Sequence, residues 1–258
     1  MQKPHDTRQF RAVRCRRKHN IILQVTLGVL GRKGVMSVFL FVHGAWGQPE
    51  DWDSLVPKLG KDSCLIADLP SCQSATAGLA EDVDHVRRLM GAANDELVMV
   101  GHSYGGMVVT EAADERVRRL VYLAAFVPEV GQSTLDLLMS APATDEEPFF
   151  SMNDDGTTTI NDWASDDYLA LGYSTGALEF MRARPRRPFS MAASVAPCSS
   201  AGWEQIASTY VIASKDTAVS PVLQRSMASH CTQTLDADAD HFLWLDNLDQ
   251  VAEILHTV

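Results

Sequence analysis

The sequence predicts an α/β protein built on a mostly parallel sheet, and three observations lead to this prediction. Short apolar runs recur from residue 37 onward, and segments of helical periodicity separate them. The chain has 258 residues, of which 46% are hydrophobic, so it can bury a large core. Because strand–helix alternation forms right-handed βαβ units, the strands should lie parallel in a sheet covered on both faces.

The same pattern assigns the elements in chain order, with about six or more strands flanked by helices. The predicted strands, all interpreted as buried on both faces, are residues 37–42, 64–68, 97–101, 119–126, 209–214 and 232–236. Apolar residues repeat at helical spacing before the third strand and again at the C-terminus. These repeats are Leu79, Val83, Val86 and Met90, and then Leu248, Val251 and Leu255.

The alternation stops between about residues 128 and 197, a stretch far longer than an ordinary αβ connection. We interpret residues 128–197 as a mostly helical cap inserted over the C-terminal edge of the sheet. Residues 36–127 and 198–258 would then form the core. A long surface loop is the alternative, but the density of aromatic residues favours a buried interior. These aromatic residues are Phe149, Phe150, Trp163, Tyr168, Tyr173 and Phe180.

The first 35 residues are basic, with nine Lys or Arg and a single acidic residue. They end in an apolar stretch and so resemble a signal peptide, but Gln24 and Thr26 interrupt that stretch and no small-residue cleavage site follows. We expect either an extra strand over residues 21–28, paired as a hairpin with the first core strand, or a loose basic extension. An export signal is a third alternative.

Charge, hydropathy and cysteine spacing exclude several classes of function. After residue 35 the chain carries 13 basic and 32 acidic residues, so we expect no nucleic-acid or membrane partner. No run of about 18 apolar residues predicts a transmembrane helix. The five cysteines are scattered without a CxxC pair, which is typical of free thiols in the reducing cytoplasm. Neither a metal nor a cofactor site is predicted.

The most specific motif is G-x-S-x-G at residues 101–105, between a predicted strand and a predicted helix. The sharp strand-to-helix turn strains the backbone of Ser103, and a Cβ at Gly101 or Gly105 would collide with the returning helix. The hydroxyl then projects above the sheet edge near a helix N-terminus, which favours developing negative charge. Ser103 is therefore predicted to be a catalytic nucleophile.

A serine hydroxyl at neutral pH needs an oriented base, and the chain offers eight histidines. His241 follows the last strand and precedes the terminal helix, so it should lie at the same sheet edge as Ser103. His43 also lies at this edge but directly after the first strand, and His102 is expected to pack beside the nucleophile. We predict that His241 is the general base.

The third member of such a site must fix the imidazole tautomer and stabilise its protonated form. Asp216 follows the fifth predicted strand and gives the chain order serine, aspartate, histidine that this architecture requires. Glu129, after the fourth strand, is one alternative, and Asp238 or Asp240 beside the histidine is another. We predict Asp216 in this role.

The first core strand runs into His-Gly-Ala-Trp-Gly at residues 43–47, a turn whose backbone N–H groups can face the site. The N–H of Ala45, with Trp46 as the alternative, and the N–H of Tyr104 are predicted to form an oxyanion hole. The competing interpretation is a tight turn in which Trp46 fills the core.

These motifs resemble the α/β-hydrolase fold superfamily, and within it the branch that contains plant methylesterases, hydroxynitrile lyases and their bacterial relatives. The resemblance extends over most of residues 37–258, the cap excepted. It implies a catalytic triad of Ser103, Asp216 and His241 with a cap over the active site. The matching stretches are VFLFVHGAW (38–46), LIADLPS (65–71), VMVGHSYGGMVV (98–109), LVYLAAFVPEVGQS (120–133), YVIASKD (210–216) with Pro221 and QRSMA (224–228), and ADHFLWLDNLDQVAEIL (239–255).

Two departures from this branch narrow the predicted function. Its hydroxynitrile lyases are expected to carry a lysine directly after the catalytic histidine and a threonine near the end of the first strand. This sequence has Phe242 at the first place and no threonine at the second. Without an ammonium group to stabilise departing cyanide, lyase chemistry is disfavoured and ester hydrolysis remains.

The sequence therefore predicts a cofactor-independent serine esterase that acts on a small, largely apolar carboxylic ester or lactone. We expect His43, Trp46, Phe242 and Trp163 to line its substrate pocket, and a homodimer is compatible with the sequence. Two alternatives stay open. One is a noncatalytic ligand-binding protein of the same fold, and the other is a lyase or hydrolase that acts on carbon–carbon bonds.

Overall fold

A computed structural model describes residues 37–93, 95–141, 150–161 and 173–258 of the protein. The predicted N-terminal extension and the predicted pocket residue Trp163 lie outside these ranges. Within them, no helix is both long enough and apolar enough to cross a membrane.

Six strands form the main sheet. In chain order they are β1 (Val38–Val42), β2 (Cys64–Ile66), β3 (Leu97–His102), β4 (Val117–Leu123), β8 (Ser208–Ala213) and β9 (Gln233–Ala237). Their order across the sheet is β2–β1–β3–β4–β8–β9, and every pairing is parallel. The C-terminal ends of all six strands therefore lie at one edge. This confirms the predicted fold class.

Three predicted strands differ from the observed ones. The strand expected at 119–126 is β4, and the chain leaves it at Ala124, whose φ is 45°. The strand expected at 232–236 is β9, which is not buried on both faces, since three of its five residues are exposed. The reason is its place at the edge, where it pairs only with β8. At the opposite edge, β2 is likewise only partly buried.

Helices pack on both faces of this sheet. Successive residues of a strand point to opposite faces, so Leu40 and Val42 enter one apolar cluster and Phe39 and Phe41 enter the other. The helices are α1 (Val56–Leu59), α2 (Leu79–Met90), α3 (Gly105–Ala112), α4 (Thr134–Ser140), α5 (Thr175–Arg182), α6 (Met191–Val195), α7 (Pro221–Ala228), α8 (Leu243–Asp246) and α9 (Leu248–Thr257). The predicted apolar stripe of α2 is buried, as the helical spacing required.

The described part of the insertion contains a small sheet besides its helices α4, α5 and α6. Strands β5 (Phe150–Met152), β6 (Thr157–Ile160) and β7 (Phe189–Ser190) pair antiparallel in that order. The sequence pattern predicts mostly helices here, and this sheet was not predicted. The turn between β5 and β6 ends at Gly156, whose φ of 84° suits glycine, and the Asp-Gly pair at 155–156 is the hairpin signal that was available.

An arginine-rich segment, residues 184–187, connects the insertion to the loops that follow β1 and β2. The Arg186 guanidinium forms a two-pronged ion pair with Asp51, and each side chain is only 4% exposed. Arg187 pairs with Asp68, and its backbone N–H donates to the Trp46 carbonyl over 3.2 Å. We call residues 184–187 the arginine strap.

Candidate active site

Ser103 occupies a strained turn between β3 and α3. Its φ is 52°, in the left-handed region that side chains rarely adopt. A Cβ at Gly101 would lie 2.8 Å from the carbonyl oxygen of Gly105, so only glycine lets the helix return this closely to the strand. Ser103 is partly exposed, whereas His102 and Tyr104 on either side of it are buried. The turn therefore presents the serine hydroxyl at the C-terminal edge of the sheet.

The Asp216 carboxylate lies against the imidazole of His241. The Nδ1 atom of His241 is 2.7 Å from Oδ2 of Asp216, whose side chain is fully buried while that of His241 is 12% exposed. Because a carboxylate accepts hydrogen bonds, Nδ1 carries the proton and Nε2 is left as the basic nitrogen. The other oxygen, Oδ1, accepts from the backbone N–H groups of Ala218 and Val219 at 2.8 and 2.9 Å.

The surroundings of His241 make it a stronger base than an ordinary histidine. Burial by itself lowers the pKa of His241, but the charge and hydrogen bond of Asp216 raise it, and the charge of Asp240 raises it further. The net pKa lies above its usual value. The partner group that fixes the tautomer therefore also favours the protonated imidazole.

Glu129 and Asp238, two of the alternatives to Asp216, form ion pairs with other residues than His241. Glu129 is 58% exposed and approaches His230 at 3.6 Å. Asp238 is 81% exposed and pairs with Lys215 at 3.1 Å. Of the carboxylates that the sequence analysis weighed for this role, Asp216 is the one that meets the imidazole ring.

Asp240 is a second buried carboxylate beside the base. Its Oδ1 accepts from the backbone N–H of His241 at 2.6 Å, and its Oδ2 is buried without a hydrogen-bond partner among the described residues. Burial is the largest cause that raises the pKa of Asp240, to about 6, and the nearby charge of Asp216 adds to it. The sequence analysis weighed this residue only as a rival of Asp216.

Ser103 and His241 lie near each other without a closed hydrogen bond. The His241 ring is 4.5 Å from the ring of His102, which precedes the serine, and the carbonyl of His241 is 3.0 Å from Nε2 of His102. In the described part of the chain neither Ser103 Oγ nor His241 Nε2 has a hydrogen-bond partner. In unliganded enzymes such catalytic contacts are often long and tighten when substrate binds.

The loop after β1 packs against the serine. A Cβ at Gly44 would lie only 2.8 Å from the Cβ of Ser103, so the glycine permits this approach. Neither the N–H of Ala45 nor that of Tyr104 donates a hydrogen bond to any acceptor in the described ranges. Among the described residues, these two backbone donors, on segments next to Ser103, are thus left without an acceptor.

His43 was predicted to line a pocket, but the structure places it in the protein interior. It is completely buried, Nδ1 bonds to the Gly44 carbonyl at 2.9 Å, and Nε2 accepts from the Leu69 N–H at 3.2 Å. Both ring nitrogens are therefore hydrogen-bonded to backbone groups. Burial lowers the pKa of His43. This placement corrects the pocket prediction, since the histidine fixes the shape of the loop and exposes no surface.

Trp46 and Phe242 are both partly exposed. Trp46 adopts a φ of 57°, and its indole N–H donates to the Thr158 carbonyl at 3.1 Å in the small sheet. The ring of Phe242 lies 5.0 Å from that of His102, and its backbone N–H donates to the Tyr173 hydroxyl at 3.2 Å. Both residues connect the insertion with the edge where Ser103 lies.

Two polar contacts behind the site were not predicted. Asp82 on α2 accepts from the Tyr104 hydroxyl at 2.8 Å and from the Ser71 N–H at 2.9 Å. Gln224 on α7 donates to Asp216 at 2.8 Å. A signal existed for Asp82, because an acid on the buried stripe of an amphipathic helix requires a partner. In the described residues, no group of three or more His, Cys, Asp or Glu is arranged to hold a metal ion.

A model of the alpha/beta hydrolase family matches residues 39–254, which is most of the chain. The chain therefore belongs to the alpha/beta hydrolase family, as the motifs predicted. Its relatives include the carbendazim hydrolyzing esterase of Nocardioides sp. (strain SG-4G), which is 38% identical over 119 residues. That match covers 41% of this chain and 49% of the esterase, so it spans about half the length of that relative.

Solved structures share the fold over nearly their whole length. A pyrethroid hydrolase from Sphingobium faniae JZ-2 superposes with a TM-score of 0.68 at 17% identity, over 87% of this chain and 97% of that one. A methylesterase from Arabidopsis does so with a TM-score of 0.63 at 21% identity, over 86% and 98%. The chain thus has the α/β-hydrolase fold, and esterases are among its relatives.

Proposed function

We propose that the protein is a cofactor-independent serine esterase that cleaves a small, largely apolar carboxylic ester or lactone. The observation that carries this proposal is the 2.7 Å contact between Asp216 and His241 at the sheet edge where Ser103 is held in its strained turn. Nucleophile, base and orienting acid are the three groups that acyl transfer through serine requires. Family membership and the esterases among the relatives support the same reaction class.

In this mechanism His241 transfers protons and Ser103 carries the acyl group. His241 Nε2 removes the hydroxyl proton as Ser103 Oγ bonds to the ester carbonyl carbon. The tetrahedral intermediate then collapses, the bond to the alcohol oxygen breaks, and the imidazolium gives its proton to the departing alcohol. Water, activated by the same nitrogen, hydrolyses the acyl-enzyme. Asp216 stabilises the imidazolium in each half of the cycle.

The two unsatisfied backbone donors complete the proposed site. As the carbonyl oxygen becomes an oxyanion, the N–H groups of Ala45 and Tyr104 would stabilise its charge without reorganising. Loss of one such donor typically costs about 3–4 kcal/mol of transition-state stabilisation. Their freedom from other acceptors in the described ranges supports this role.

The proposed substrate class follows from the groups around the site. Trp46 and Phe242 are partly exposed aromatic residues, in the loop after β1 and directly after His241. The chain carries a net charge of −11, so an apolar and uncharged ester is favoured over an anionic one. Phe242 stands directly after the base, so no ammonium group is supplied there for a departing cyanide. Ester hydrolysis is therefore preferred over lyase chemistry.

We also propose that the protein works in the reducing cytoplasm. The four cysteines among the described residues are all unpaired. Burial raises the pKa of Cys72 to about 12, so this thiol is a poor nucleophile and suits a structural role.

Replacement of the nucleophile tests this proposal. Ser103→Ala should fold normally and lower kcat for a p-nitrophenyl ester by at least about a thousandfold, because the acyl carrier is lost. The exposed Ser226→Ala on α7 is the matched control and should keep full turnover. Wild-type turnover in the Ser103→Ala variant would remove the serine-esterase proposal. A wild-type protein that binds esters without cleaving them would favour the noncatalytic alternative.

A further inference from the structure

Gln224 is a fully buried amide whose polar atoms are all engaged. Its Nε2 donates to Oδ2 of Asp216 at 2.8 Å and to the Val219 carbonyl at 2.6 Å. Its Oε1 accepts from the backbone N–H of Ala213, the last residue of β8, at 2.9 Å. One side chain on α7 thus joins the end of a core strand, the loop that follows it, and the acid of the proposed site.

Gln224 and His241 share one oxygen of Asp216. Oδ2 lies 2.7 Å from His241 Nδ1 and 2.8 Å from Gln224 Nε2, while Oδ1 is held by two backbone N–H groups of its own loop. Rotation of the carboxylate would break contacts at both oxygens. The hydrogen bond from Gln224 comes from helix α7, whereas those at Oδ1 come from the loop that contains Asp216. Gln224 therefore fixes the Asp216 carboxylate relative to the core of the protein.

We propose that Gln224 is a positioning residue, which holds the Asp216 carboxylate in the orientation that His241 needs and draws part of its negative charge away from the imidazole. This inference rests on the proposed function for its catalytic consequence. The contact itself is independent of turnover, because Gln224, Asp216 and His241 meet in the protein without substrate.

Removal of the Gln224 amide should raise the pKa of His241 but lower the turnover rate. The charged or titratable groups that face His241 are Asp216, Asp240 and His102. Gln224 touches Asp216 alone of these. Without the amide, Oδ2 directs more negative charge at His241 and should raise its pKa. Oδ1 stays held by the N–H groups of Ala218 and Val219, so the contact with His241 persists. The carboxylate has nevertheless lost its anchor on α7 and orients the imidazole less accurately, so turnover should fall.

The test compares Gln224→Met with Leu223→Ala. Methionine keeps the length of the side chain but donates no hydrogen bond, whereas Leu223 is a buried apolar neighbour on the same helix whose side chain cannot hydrogen-bond to Asp216. The His241 titration is followed by NMR on the whole protein and assigned with His241→Asn. In Gln224→Met the His241 midpoint should rise by about 0.5–1 pH unit. In Leu223→Ala it should stay at the wild-type value.

Kinetics with a p-nitrophenyl ester give the second measurement. In Gln224→Met, kcat should fall by about ten- to a hundredfold with little change in KM, a smaller loss than the ~10⁴ expected when the acid itself is replaced. If Gln224→Met does not fold, Gln224→Asn serves instead, because its shorter amide withdraws from Asp216 and should shift the midpoint in the same direction.

The outcomes separate this inference from the proposed function. A His241 midpoint and kcat equal to those of Leu223→Ala would overturn the positioning role and leave Gln224 a structural amide. A shifted midpoint in a protein without ester turnover would support the role of Gln224 and overturn the esterase proposal. Ser103-dependent turnover with an unshifted His241 midpoint would support the esterase proposal and overturn the role of Gln224.

Discussion

His241 lies between two carboxylates whose hydrogen bonding differs. Asp216 accepts hydrogen bonds at both oxygens, so its negative charge is stabilised beside the His241 ring. Asp240 accepts from the His241 N–H through Oδ1, but its buried Oδ2 has no partner in the described part of the chain. Burial makes ionisation of this carboxyl costly, which is the main reason that the pKa of Asp240 rises to about 6.

This difference predicts a pH-dependent gain in stability for Asp240→Asn. The folded protein holds the Asp240 proton up to about pH 6, whereas the unfolded chain releases it near pH 4, so ionisation costs stability as the pH rises between these values. Urea unfolding should find Asp240→Asn more stable than wild type by about 1–3 kcal/mol at pH 8. The gain should shrink towards zero near pH 4.

Asp238→Asn provides the control for this experiment. Its side chain is 81% exposed, so it should change the free energy of unfolding by at most about 1 kcal/mol at either pH. An Asp240→Asn variant that is less stable than wild type at pH 8 would contradict the assignment of Asp240 as a buried carboxyl with a raised pKa beside His241.

At the scale of the elements, the arginine strap connects the insertion to the loops that carry the site. Arg186 and Asp51 are both almost fully buried, and the Asp51 carbonyl also accepts from the indole of Trp244 at 3.0 Å. Arg187 holds the Trp46 carbonyl, in the loop that supplies the proposed oxyanion donor. The strap therefore couples the position of the insertion to the geometry of that loop.

Removal of the buried cation should destabilise the fold strongly. Arg186→Met leaves the Asp51 carboxylate buried without its counter-charge, a change that typically costs about 3–5 kcal/mol. Lys58→Met, which breaks the exposed pair with Asp249, should cost about 0–1 kcal/mol. Denaturant unfolding of the two variants measures this contrast, and equal losses would show that the strap does not depend on the buried pair.

At the scale of the whole molecule, the features predicted from sequence are those that local chemistry determines. The turn around Ser103 requires glycines at fixed positions, and parallel strands bring their C-terminal ends to one edge, so Asp216 and His241 could be placed near the serine from chain order alone. The apolar stripe of α2 was predicted for the same reason, since burial follows its spacing.

The features that were missed depend on contacts between distant segments. Gln224 and Asp82 act through hydrogen bonds to partners on other elements, and no spacing rule in the sequence encodes those partners. His43 lies at the sheet edge where a pocket residue was expected, but both of its ring nitrogens form hydrogen bonds with backbone groups. The small antiparallel sheet was missed because its strands are short and one of them, β7, is distant in sequence.

The most direct test of the central claim is to trap the acyl-enzyme on Ser103. The wild-type protein would be mixed with a p-nitrophenyl ester, quenched in acid within the first turnover, and analysed by intact mass and peptide mapping. One added acyl group is expected on the peptide that contains Ser103, and none in Ser103→Ala, because the serine oxygen is the proposed acyl carrier. Ester hydrolysis without an adduct on this peptide, or an equal adduct in Ser103→Ala, would contradict it.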